Sequence, residues 1–329
     1  MSSFKALRVY QADKGVDTRL EDMTLDALSE GAVVIRAKWS GINFKDALAV
    51  TGKGKIMRSM PMNAGIDVAG TVETSEDPRF RPGEEVLVTG CGLGEAHDGG
   101  FAGMVRVPGD WVVPLPEGLD LRQAMIVGTA GFTAGMALVR MEQNDQRPER
   151  GPILITGATG GVGSFATRLF SRAGYSVTAL TGKPDAAAYL RSLGADQILP
   201  ADQVDYGKRP LEKALWGGAV DNLGGEALTW LTRTVKPWGN IGSIGLAAGF
   251  ELNTTVMPFI LRGVSLLGIN SVECSRDLRL AVWTRISELL QPTDCDTIVN
   301  REVGLDDVVT QSEALLERRV RGRTLVRIG

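Results

Sequence analysis

The chain has 329 residues, a hydrophobic fraction of 43%, a mean hydropathy of +0.01 and a formal net charge of -3. This length predicts two domains with their own cores, and the weak charge gives no electrostatic reason to expect nucleic acid as a partner. No apolar run is long enough to predict a membrane helix, and the N-terminus lacks the apolar core of a signal peptide. Three scattered cysteines and a single histidine, His97, predict neither a disulfide framework nor a metal site. We therefore expect a cytoplasmic protein.

The first 120 residues are predicted to be mostly β-structure. Short segments rich in valine and isoleucine are separated by turn residues such as Pro108-Gly109-Asp110, which is the pattern of short strands. The expected strands are 6–10, 33–39, 70–73, 85–89, 101–107 and 111–114.

Residues 123–127 and 131–141 are predicted to be helical, and a glycine-rich turn follows them. The apolar run 153–156 leads into Gly157-Ala158-Thr159-Gly160-Gly161-Val162-Gly163, and a helical pattern begins at Ser164. A helix N-terminus offers unpaired N–H groups to a pyrophosphate, and glycines let the backbone approach it. The unit therefore predicts a dinucleotide site with contacts from Thr159, Gly160, Gly161 and Val162.

Beyond the turn, predicted strands and helices alternate, which indicates a parallel sheet with helices on both faces. The expected strands are 177–181, 197–200, 219–222, 240–244 and 264–268; the expected helices are 184–193, 227–235 (ended by Pro237 and Gly239) and 276–290. A final helix over 306–318 precedes a strand over 324–328, which we place back in the first domain. The predicted domains are 1–122 with 291–329, and 123–290, with the cofactor in the cleft between them.

The end of the second strand of this sheet predicts the type of cofactor. In such folds a carboxylate about 20 residues past the glycines binds the ribose 2′-hydroxyl of NAD. Here the strand ends in Thr181-Gly182-Lys183, and no carboxylate occurs before Asp185. Lys183 attracts a 2′-phosphate and Thr181 can donate a hydrogen bond to it, so the sequence favours NADPH.

Three further stretches make the chain resemble the medium-chain dehydrogenase/reductase superfamily. They are Gly41-Ile42-Asn43-Phe44-Lys45-Asp46, the stretch 65–72 (GIDVAGTV) and the stretch 128–134 (GTAGFTA). Zinc alcohol dehydrogenases of that superfamily carry a Cys and a His-Glu pair where this chain has Asn43, Ile66 and Asp67. The chain therefore resembles the zinc-free branch of quinone oxidoreductases and enoyl reductases. The resemblance implies a GroES-like, mostly-β catalytic domain and a Rossmann domain with a doubly wound parallel sheet.

Within that branch the chain resembles the acrylyl-CoA reductase family. The resemblance rests on the stretches 51–56, 74–80, 209–213 and 254–262. It implies NADPH-dependent reduction of acryloyl-CoA to propionyl-CoA, without a metal. In this reaction hydride adds to the β-carbon of the enoyl thioester, and a proton adds to the α-carbon. The protein has to position the reactants and stabilise the enolate oxygen.

The resemblance also implies the catalytic residues. Asn43, Phe44, Lys45 and Asp46 occupy the motif that lines the nicotinamide cleft, with Phe44 also covering the nicotinamide. Many relatives have a tyrosine at the position of Phe44, so the proton donor stays open. Lys45 stabilises the enolate, holds a carboxyamide or phosphate group, or forms an ion pair with Asp46. Gly245, Leu246 and Ser271 are expected at the nicotinamide half of the cofactor.

The phosphates of CoA call for cationic partners. Lys53, Lys55 and Arg58 form one basic loop, and Arg319, Arg321 and Arg323 form another, so Lys53, Lys55, Arg58 and Arg323 are the candidates; each group has a solvated surface as its alternative interpretation. Quinone or general enone reduction and a non-catalytic NADPH-binding role remain as alternative functions. We also expect a homodimer joined at the sheet edge 266–268.

Overall fold

The computed structural model describes residues 3–329, apart from the side chain of Pro184. The strands in chain order are β1 Phe4–Gln11, β2 Val16–Met23, β3 Val33–Ile42, β4 Met62–Asn63, β5 Asp67–Ser75, β6 Glu85–Thr89, β7 Met104–Val107, β8 Val113–Pro114, β9 Ile153–Ile155, β10 Val177–Thr181, β11 Gln197–Pro200, β12 Trp216–Asp221, β13 Val235–Ser243, β14 Ser265–Gly268, β15 Val299–Val303 and β16 Arg323–Arg327. The helices are α1 Phe44–Thr51, α2 Leu121–Gln143, α3 Gly161–Arg172, α4 Ala187–Ser192, α5 Gly225–Thr234, α6 Met257–Arg262, α7 Arg276–Leu289, α8 Pro292–Ile298 and α9 Val308–Leu316.

The chain forms two units. The first comprises the residues up to Thr129 together with Val272–Ser287 and Ile298–Gly329. Its main sheet has the order β15-β16-β3-β5-β6-β8, and β7 also pairs with β3. The C-terminal strand β16 lies antiparallel to β3, with Thr324 opposite Ile42. The last strand therefore pairs within the sheet of the first unit, and residues distant in sequence lie side by side there.

The second unit comprises Ala130–Ser271 and Glu288–Thr297. Its six strands have the order β11-β10-β9-β12-β13-β14, and every pair is parallel. This is the strand order of the doubly wound dinucleotide-binding fold. All residues of β9 and β10 are buried, as expected for central strands covered on both faces. The predicted fold class is therefore confirmed.

The boundaries of the units differ from the sequence division at three places, and the first is that residues 123–129 group with the first unit. Residues 272–287 group with the first unit, because Arg279 of α7 is buried there and its Nη1 donates to the carbonyl oxygen of Thr89 at 2.7 Å. Residues 288–297 group with the second unit, where the buried carboxylate of Asp294 accepts a hydrogen bond from Arg172 at 3.1 Å.

One predicted boundary is wrong. The strand expected at 240–244 begins at Val235, directly after α5, so Pro237 and Gly239 lie inside β13. The pairing of β12 with β13 shifts register between Trp216 and Gly218, and an irregularity of this kind accommodates a proline in a strand. The two helices expected at 123–127 and 131–141 both lie within α2, where Gly128 has non-helical backbone angles (φ 47°, ψ -157°) and separates them by a kink.

Taken over its whole length, α2 is long and apolar enough to cross a membrane by length and composition alone. Its most apolar window is 83% buried inside the protein. Burial of this extent is typical of the core helix of a globular fold.

Candidate active site

The glycine turn of the second unit has the geometry of a dinucleotide cradle. Gly160 precedes α3, and Gly157 has a φ of 57°, which favours glycine. A Cβ atom on Gly163 would lie 2.4 Å from the carbonyl oxygen of Gly157. The third glycine therefore lets α3 begin directly against the turn, which brings the N–H groups at its N-terminus within reach of a ligand.

The end of β10 lies next to this cradle, since β10 pairs with β9 and the N–H of Ala158 donates to the carbonyl of Leu180 at 3.2 Å. Thr181 is buried, and its hydroxyl accepts a hydrogen bond from the N–H of Lys183 at 3.0 Å. Gly182 is exposed and Lys183 half-exposed. The residues fit a cofactor with a 2′-phosphate, because a cation and a hydroxyl stand where NAD sites carry a carboxylate.

The sequence analysis missed one residue of this edge, Asn222, which follows β12. Its amide nitrogen donates to the carbonyl of Thr156 at 2.7 Å, while its buried side-chain oxygen Oδ1 has no hydrogen-bond partner. A buried carbonyl oxygen without a partner is rare and invites a donor from a ligand. The signal was the motif Val220-Asp221-Asn222-Leu223-Gly224 at a strand end.

The structure brings the predicted nicotinamide residues to the same edge of the sheet. Gly245 and Leu246 follow β13, and the N–H of Gly245 donates to the carbonyl of Asp221 at 3.3 Å. Ser271 follows β14, and its hydroxyl accepts a hydrogen bond from Thr133 at 2.9 Å. Leu246 is 64% exposed, so an apolar side chain stands at the carboxyl ends of the strands, where ligands of such sheets bind.

In the first unit, the motif predicted to be catalytic starts α1. Asn43 precedes the helix, and its N–H donates to Oδ2 of Asp46 at 2.8 Å. The other oxygen of Asp46 accepts the N–H of Ile66 at 2.8 Å. Asp46 therefore ties the start of α1 to the start of β5 and is not open to a ligand. The alternative that Asp46 pairs with Lys45 is wrong.

A buried network continues from Asn43 to Asp67 and Arg323. Asn43 donates its amide to Asp67 at 2.7 Å and accepts Nη1 of Arg323 at 2.7 Å. Arg323 Nη2 lies 3.6 Å from Asp67 Oδ2. Thr129 donates to Asp67 through its N–H at 2.9 Å and through its hydroxyl at 2.6 Å. The amide of Asn43 is therefore engaged in hydrogen bonds within the protein, on both its nitrogen and its oxygen.

Two motif glycines make room for the guanidinium group of Arg323. A Cβ atom on Gly41 would lie 2.6 Å from Arg323 Nη2, and one on Gly128 would lie 2.6 Å from Asp67 Oδ2 and 2.7 Å from Arg323 Nη2. The kink of α2 at Gly128 therefore lies directly against the Asp67–Arg323 pair. Any side chain at either position would displace the buried cation.

Charge in this network is unbalanced, because two carboxyl groups share one guanidinium group. Burial and the nearby Asp67 raise the pKa of Asp46 to about 7, against the hydrogen bonds from Asn43 and Ile66. Burial also lowers the pKa of Arg323, and the two carboxylates oppose this effect. We conclude that the protonation state of Asp46 sets the net charge of the buried network below the start of α1.

Phe44 and Lys45 are the predicted catalytic residues that remain accessible. Phe44 is 51% exposed at the first position of α1. Lys45 Nζ lies 2.8 Å from Oε1 of Glu95, with 39% of its side chain exposed. An aromatic face and a held ammonium group therefore stand together at the start of α1.

The candidate residues for CoA have different environments. Lys53, Lys55 and Arg58 are exposed. The prediction for Arg323 is wrong: it is 3% exposed, and its guanidinium donates to the carbonyls of Ile126 and Ile42 and to Asn43. The strand alternation of β16 points Arg323 into the core, where it cannot serve as a surface anchor for phosphate.

Two of the positions that hold zinc ligands in zinc alcohol dehydrogenases are occupied here by a hydrogen-bonded pair of side chains. Asn43 and Asp67 are hydrogen-bonded to each other, and Arg323 supplies the positive charge beside them. Among residues 3–329 no group of three or more His, Cys, Asp or Glu side chains could hold a metal ion.

Together, a mostly-β unit and a six-stranded parallel sheet with a glycine cradle define a two-domain dehydrogenase-like protein. Residues 29–117 match the family model "Alcohol dehydrogenase GroES-like domain", and residues 161–288 match "Zinc-binding dehydrogenase".

Relatives match the chain over nearly its full length. It is 46% identical to the probable acrylyl-CoA reductase AcuI of Escherichia coli K12, covering 98% of this chain and 99% of that protein. It is 45% identical to the putative quinone oxidoreductase YhfP of Bacillus subtilis, covering 99% of each. The crystal structure of E. coli K-12 YhdH with bound NADPH superposes with a TM-score of 0.95 at 45% identity, covering 98% of this chain and 100% of that one. The chain belongs to the acrylyl-CoA reductase family of the medium-chain dehydrogenase/reductase superfamily.

Proposed function

We propose that the protein reduces the C=C bond of acryloyl-CoA to propionyl-CoA with NADPH and without a metal. The observation that carries the substrate class is the 46% identity, over 324 residues, to a protein named as a probable acrylyl-CoA reductase. The missing carboxylate at the end of β10 and the half-exposed Lys183 support the cofactor. Family membership alone leaves the substrate of one member open, so both parts need a direct test.

In this proposal the second unit holds the cofactor, which supplies a hydride for the β-carbon of the enoyl thioester. Thr159, Gly160, Gly161 and Val162 bind the pyrophosphate, and Thr181, Gly182 and Lys183 bind the 2′-phosphate. Gly245, Leu246 and Ser271 bind the nicotinamide half. The orphaned oxygen of Asn222 supports adding this residue as an acceptor for a cofactor hydroxyl or amide group.

In the first unit, we assign the contacts with the reactants to Phe44 and Lys45. Neighbouring residues hold these two side chains in position. Phe44 covers the nicotinamide face and excludes water from the reacting atoms. Lys45 stabilises the negative charge that develops on the thioester oxygen, because an ammonium group is a strong donor to an oxyanion. Glu95 fixes Lys45 through their 2.8 Å ion pair. Asn43 and Asp46 fix the start of α1. Phe44 has no proton to give, so the proton for the α-carbon comes from Lys45 or from water.

The second candidate function is quinone or enone reduction on the same scaffold. The similarity to the putative quinone oxidoreductase of B. subtilis favours it, and it would need no site for CoA. The third candidate is a non-catalytic NADPH-binding role. Phe44 favours it, because many relatives have a tyrosine at this position and phenylalanine has no hydroxyl group to donate a proton.

We further propose a cytoplasmic homodimer joined through the second unit. β14 is an edge strand of the parallel sheet, and unpaired edges are common sites of association. Near it, α6 exposes Met257, Ile260 and Leu261. Trp238 is 69% exposed, with a φ of 64°, and lies against Gly263 after α6. Backbone strain of this kind clusters at functional sites, which supports a role for Trp238 in the contact between copies.

The first experiment measures NADPH oxidation by the purified protein with acryloyl-CoA and, in parallel, with a simple quinone and with NADH controls. Turnover with acryloyl-CoA and NADPH supports the proposal. Turnover with quinone alone moves the protein to the second function, and tight NADPH binding without turnover on any enone moves it to the third.

A further inference from the structure

A cavity of about 740 Å³ lies entirely within the first unit, and neither the fold nor the cofactor site accounts for it. Its walls come from the loop after β6, the segment before β8 and the start of α7. The lining side chains that matter here are Arg58, Cys91, Glu95, His97, Trp111 and Arg276. A volume in the range of about 300–1,000 Å³ is typical of small-molecule sites.

Three arginines (Arg58, Arg276 and Arg279) and three carboxylates (Glu95, Asp110 and Glu273) line the cavity, and two of these carboxylates are already paired with cations that are not part of the lining. Glu95 is paired with Lys45 at 2.8 Å, and Asp110 with Arg79 at 2.7 Å. Arg276 donates to the carbonyl oxygens of Asp110 at 3.1 Å and Val112 at 2.7 Å rather than to a carboxylate.

Arg58 is the cation of this cavity that is open to a ligand. Its guanidinium group makes no hydrogen bond or ion pair with the residues that the structure describes. Its backbone N–H, in contrast, is fixed on the carbonyl of Glu95 at 2.7 Å. The base of the side chain is therefore held while the charged end stays available for an anion, and guanidinium groups pair best with phosphate.

The cavity also offers an aromatic wall. His97 and Trp111 meet edge to face, with ring centroids 5.0 Å apart and an interplanar angle of 67°. The ring of His97 is held through Nε2, 2.9 Å from the carbonyl oxygen of Glu30. An indole that packs edge to face on a held imidazole, beside a cation, suits a nucleobase carrying phosphates, because bases stack on aromatic rings.

We propose that this cavity binds the adenosine 3′,5′-bisphosphate end of the CoA thioester, with Arg58 on phosphate and Trp111 beside the adenine. The proposal rests on the acyl-CoA substrate class proposed above. The acryloyl group is small and uncharged and has no use for guanidinium groups, whereas the nucleotide end carries most of the charge of the substrate. Glu95 contacts both the cavity and Lys45, so the site is continuous with the start of α1.

The proposal also separates the cationic candidates from one another. Arg58 lines the cavity; Lys53 and Lys55 of the same loop do not. Arg58 is therefore assigned to the nucleotide and the two lysines to the solvated surface.

The test compares Arg58→Gln with the wild type on two substrates, acryloyl-CoA and acryloyl-pantetheine, which lacks the nucleotide. We expect the KM for acryloyl-CoA to rise roughly tenfold or more, because a charge-assisted hydrogen bond contributes about 1.5–3 kcal/mol. We expect kcat and all constants for acryloyl-pantetheine to stay the same. Arg81→Gln, which removes an exposed arginine of the same unit away from the cavity, is the matched control.

A direct binding measurement supports the kinetics. Adenosine 3′,5′-bisphosphate is titrated calorimetrically with saturating NADP⁺ present, so that the 2′-phosphate site cannot take it up. We expect binding to the wild type and to Arg81→Gln, and at least tenfold weaker binding to Arg58→Gln.

Three results would overturn the inference while leaving the proposed function intact. They are equal effects of Arg58→Gln on both thioesters, an effect of Lys55→Gln as large as that of Arg58→Gln, and no binding of adenosine 3′,5′-bisphosphate to an active enzyme. Failure of the proposed function looks different, since the wild type would then turn over neither thioester.

Discussion

Arg323 and Asp67 form the residue pair on which the start of α1 depends. Both are buried, and removal of one partner from a buried pair costs about 3–5 kcal/mol because the other charge is left uncompensated. The surrounding residues accommodate both groups. Gly41 and Gly128 leave space for the guanidinium group of Arg323, and Thr129 donates two hydrogen bonds to the carboxylate of Asp67. A cation supplied by the chain thus stands next to positions that hold zinc ligands in the zinc-dependent relatives.

The pKa of Asp46 predicts a pH dependence of stability. Its value of about 7 in the folded protein lies above the ordinary value of 3.8. Between these two pH values the folded chain therefore binds a proton that the unfolded chain releases. The stabilisation that comes from the proton on Asp46 is complete below about pH 4 and is lost as the pH rises through 7. We expect the contribution to the free energy of unfolding to fall by a few kcal/mol, at about 1.4 kcal/mol per pKa unit.

Urea unfolding between pH 4.5 and 8 measures this dependence. Asp46→Asn should lower stability overall and flatten the slope, whereas Asp13→Asn, which removes an exposed carboxyl group, should preserve it. An unchanged slope in Asp46→Asn would contradict the assignment.

Lys183 is predicted to select NADPH over NADH. We expect Lys183→Ala to raise the KM for NADPH by roughly ten- to a hundredfold and to leave the KM for NADH unchanged, because the lost charge-assisted bond exists only with the 2′-phosphate. Steady-state kinetics with both cofactors measures the ratio. Lys208→Ala, an exposed lysine of the same unit, is the control. An equal rise in the KM for NADPH and for NADH would contradict this prediction.

At the scale of elements, the β9–turn–α3 unit owes its geometry to close backbone approach. A Cβ atom on Gly163 would lie 2.4 Å from the carbonyl oxygen of Gly157 and 2.6 Å from the Cα of Ala158. Neither atom can move aside as a flexible side chain would. The first turn of α3 therefore needs glycine at this position to lie against the strand.

Gly163→Ala is expected to displace the start of α3 and weaken NADPH binding by at least about tenfold, since a shift of the N–H groups weakens every phosphate contact. Cofactor titration followed by fluorescence measures the effect. In Gly304→Ala the added methyl meets no atom within 4 Å, so its affinity should match the wild type. Wild-type affinity in Gly163→Ala would mean that the turn does not hold the pyrophosphate.

At the scale of the whole molecule, most of the exposed large apolar side chains fall within one stretch of the sequence of the second unit. Among the described residues, all but Phe44 lie between positions 238 and 261: Trp238, Leu246, Phe250, Leu252, Val256, Met257, Ile260 and Leu261. Leu246 is assigned to the cofactor, whereas Trp238, Met257, Ile260 and Leu261 lie on α6 or beside its end, and exposed apolar side chains that lie together mark an interaction surface. With β14 at the sheet edge nearby, a second copy of the chain is the partner we propose.

Ile260→Glu is expected to convert the dimer to a monomer, because a carboxylate at a 72% exposed apolar position would be buried without a partner on association. Light scattering over a range of concentrations measures the mass. Gln197→Glu puts the same charge on β11 at the opposite edge of the sheet and should leave the dimer intact. A wild-type chain that is monomeric throughout would refute the homodimer.

The sequence by itself determined the features that depend on neighbouring residues. The glycine turn, the buried strands around it and the absence of a carboxylate after β10 are local patterns, and they were sufficient to predict the doubly wound sheet and the type of cofactor. Only the tertiary structure decided which distant side chains meet. Arg323 reaches Asn43 across 280 positions, Lys45 pairs with Glu95 rather than Asp46, and Arg58 opens into a cavity with Arg276. The physical reason is that hydrophobic periodicity fixes which face of an element is buried, whereas charge pairing inside a core depends on strand order, register and kinks such as that at Gly128, which no local pattern encodes.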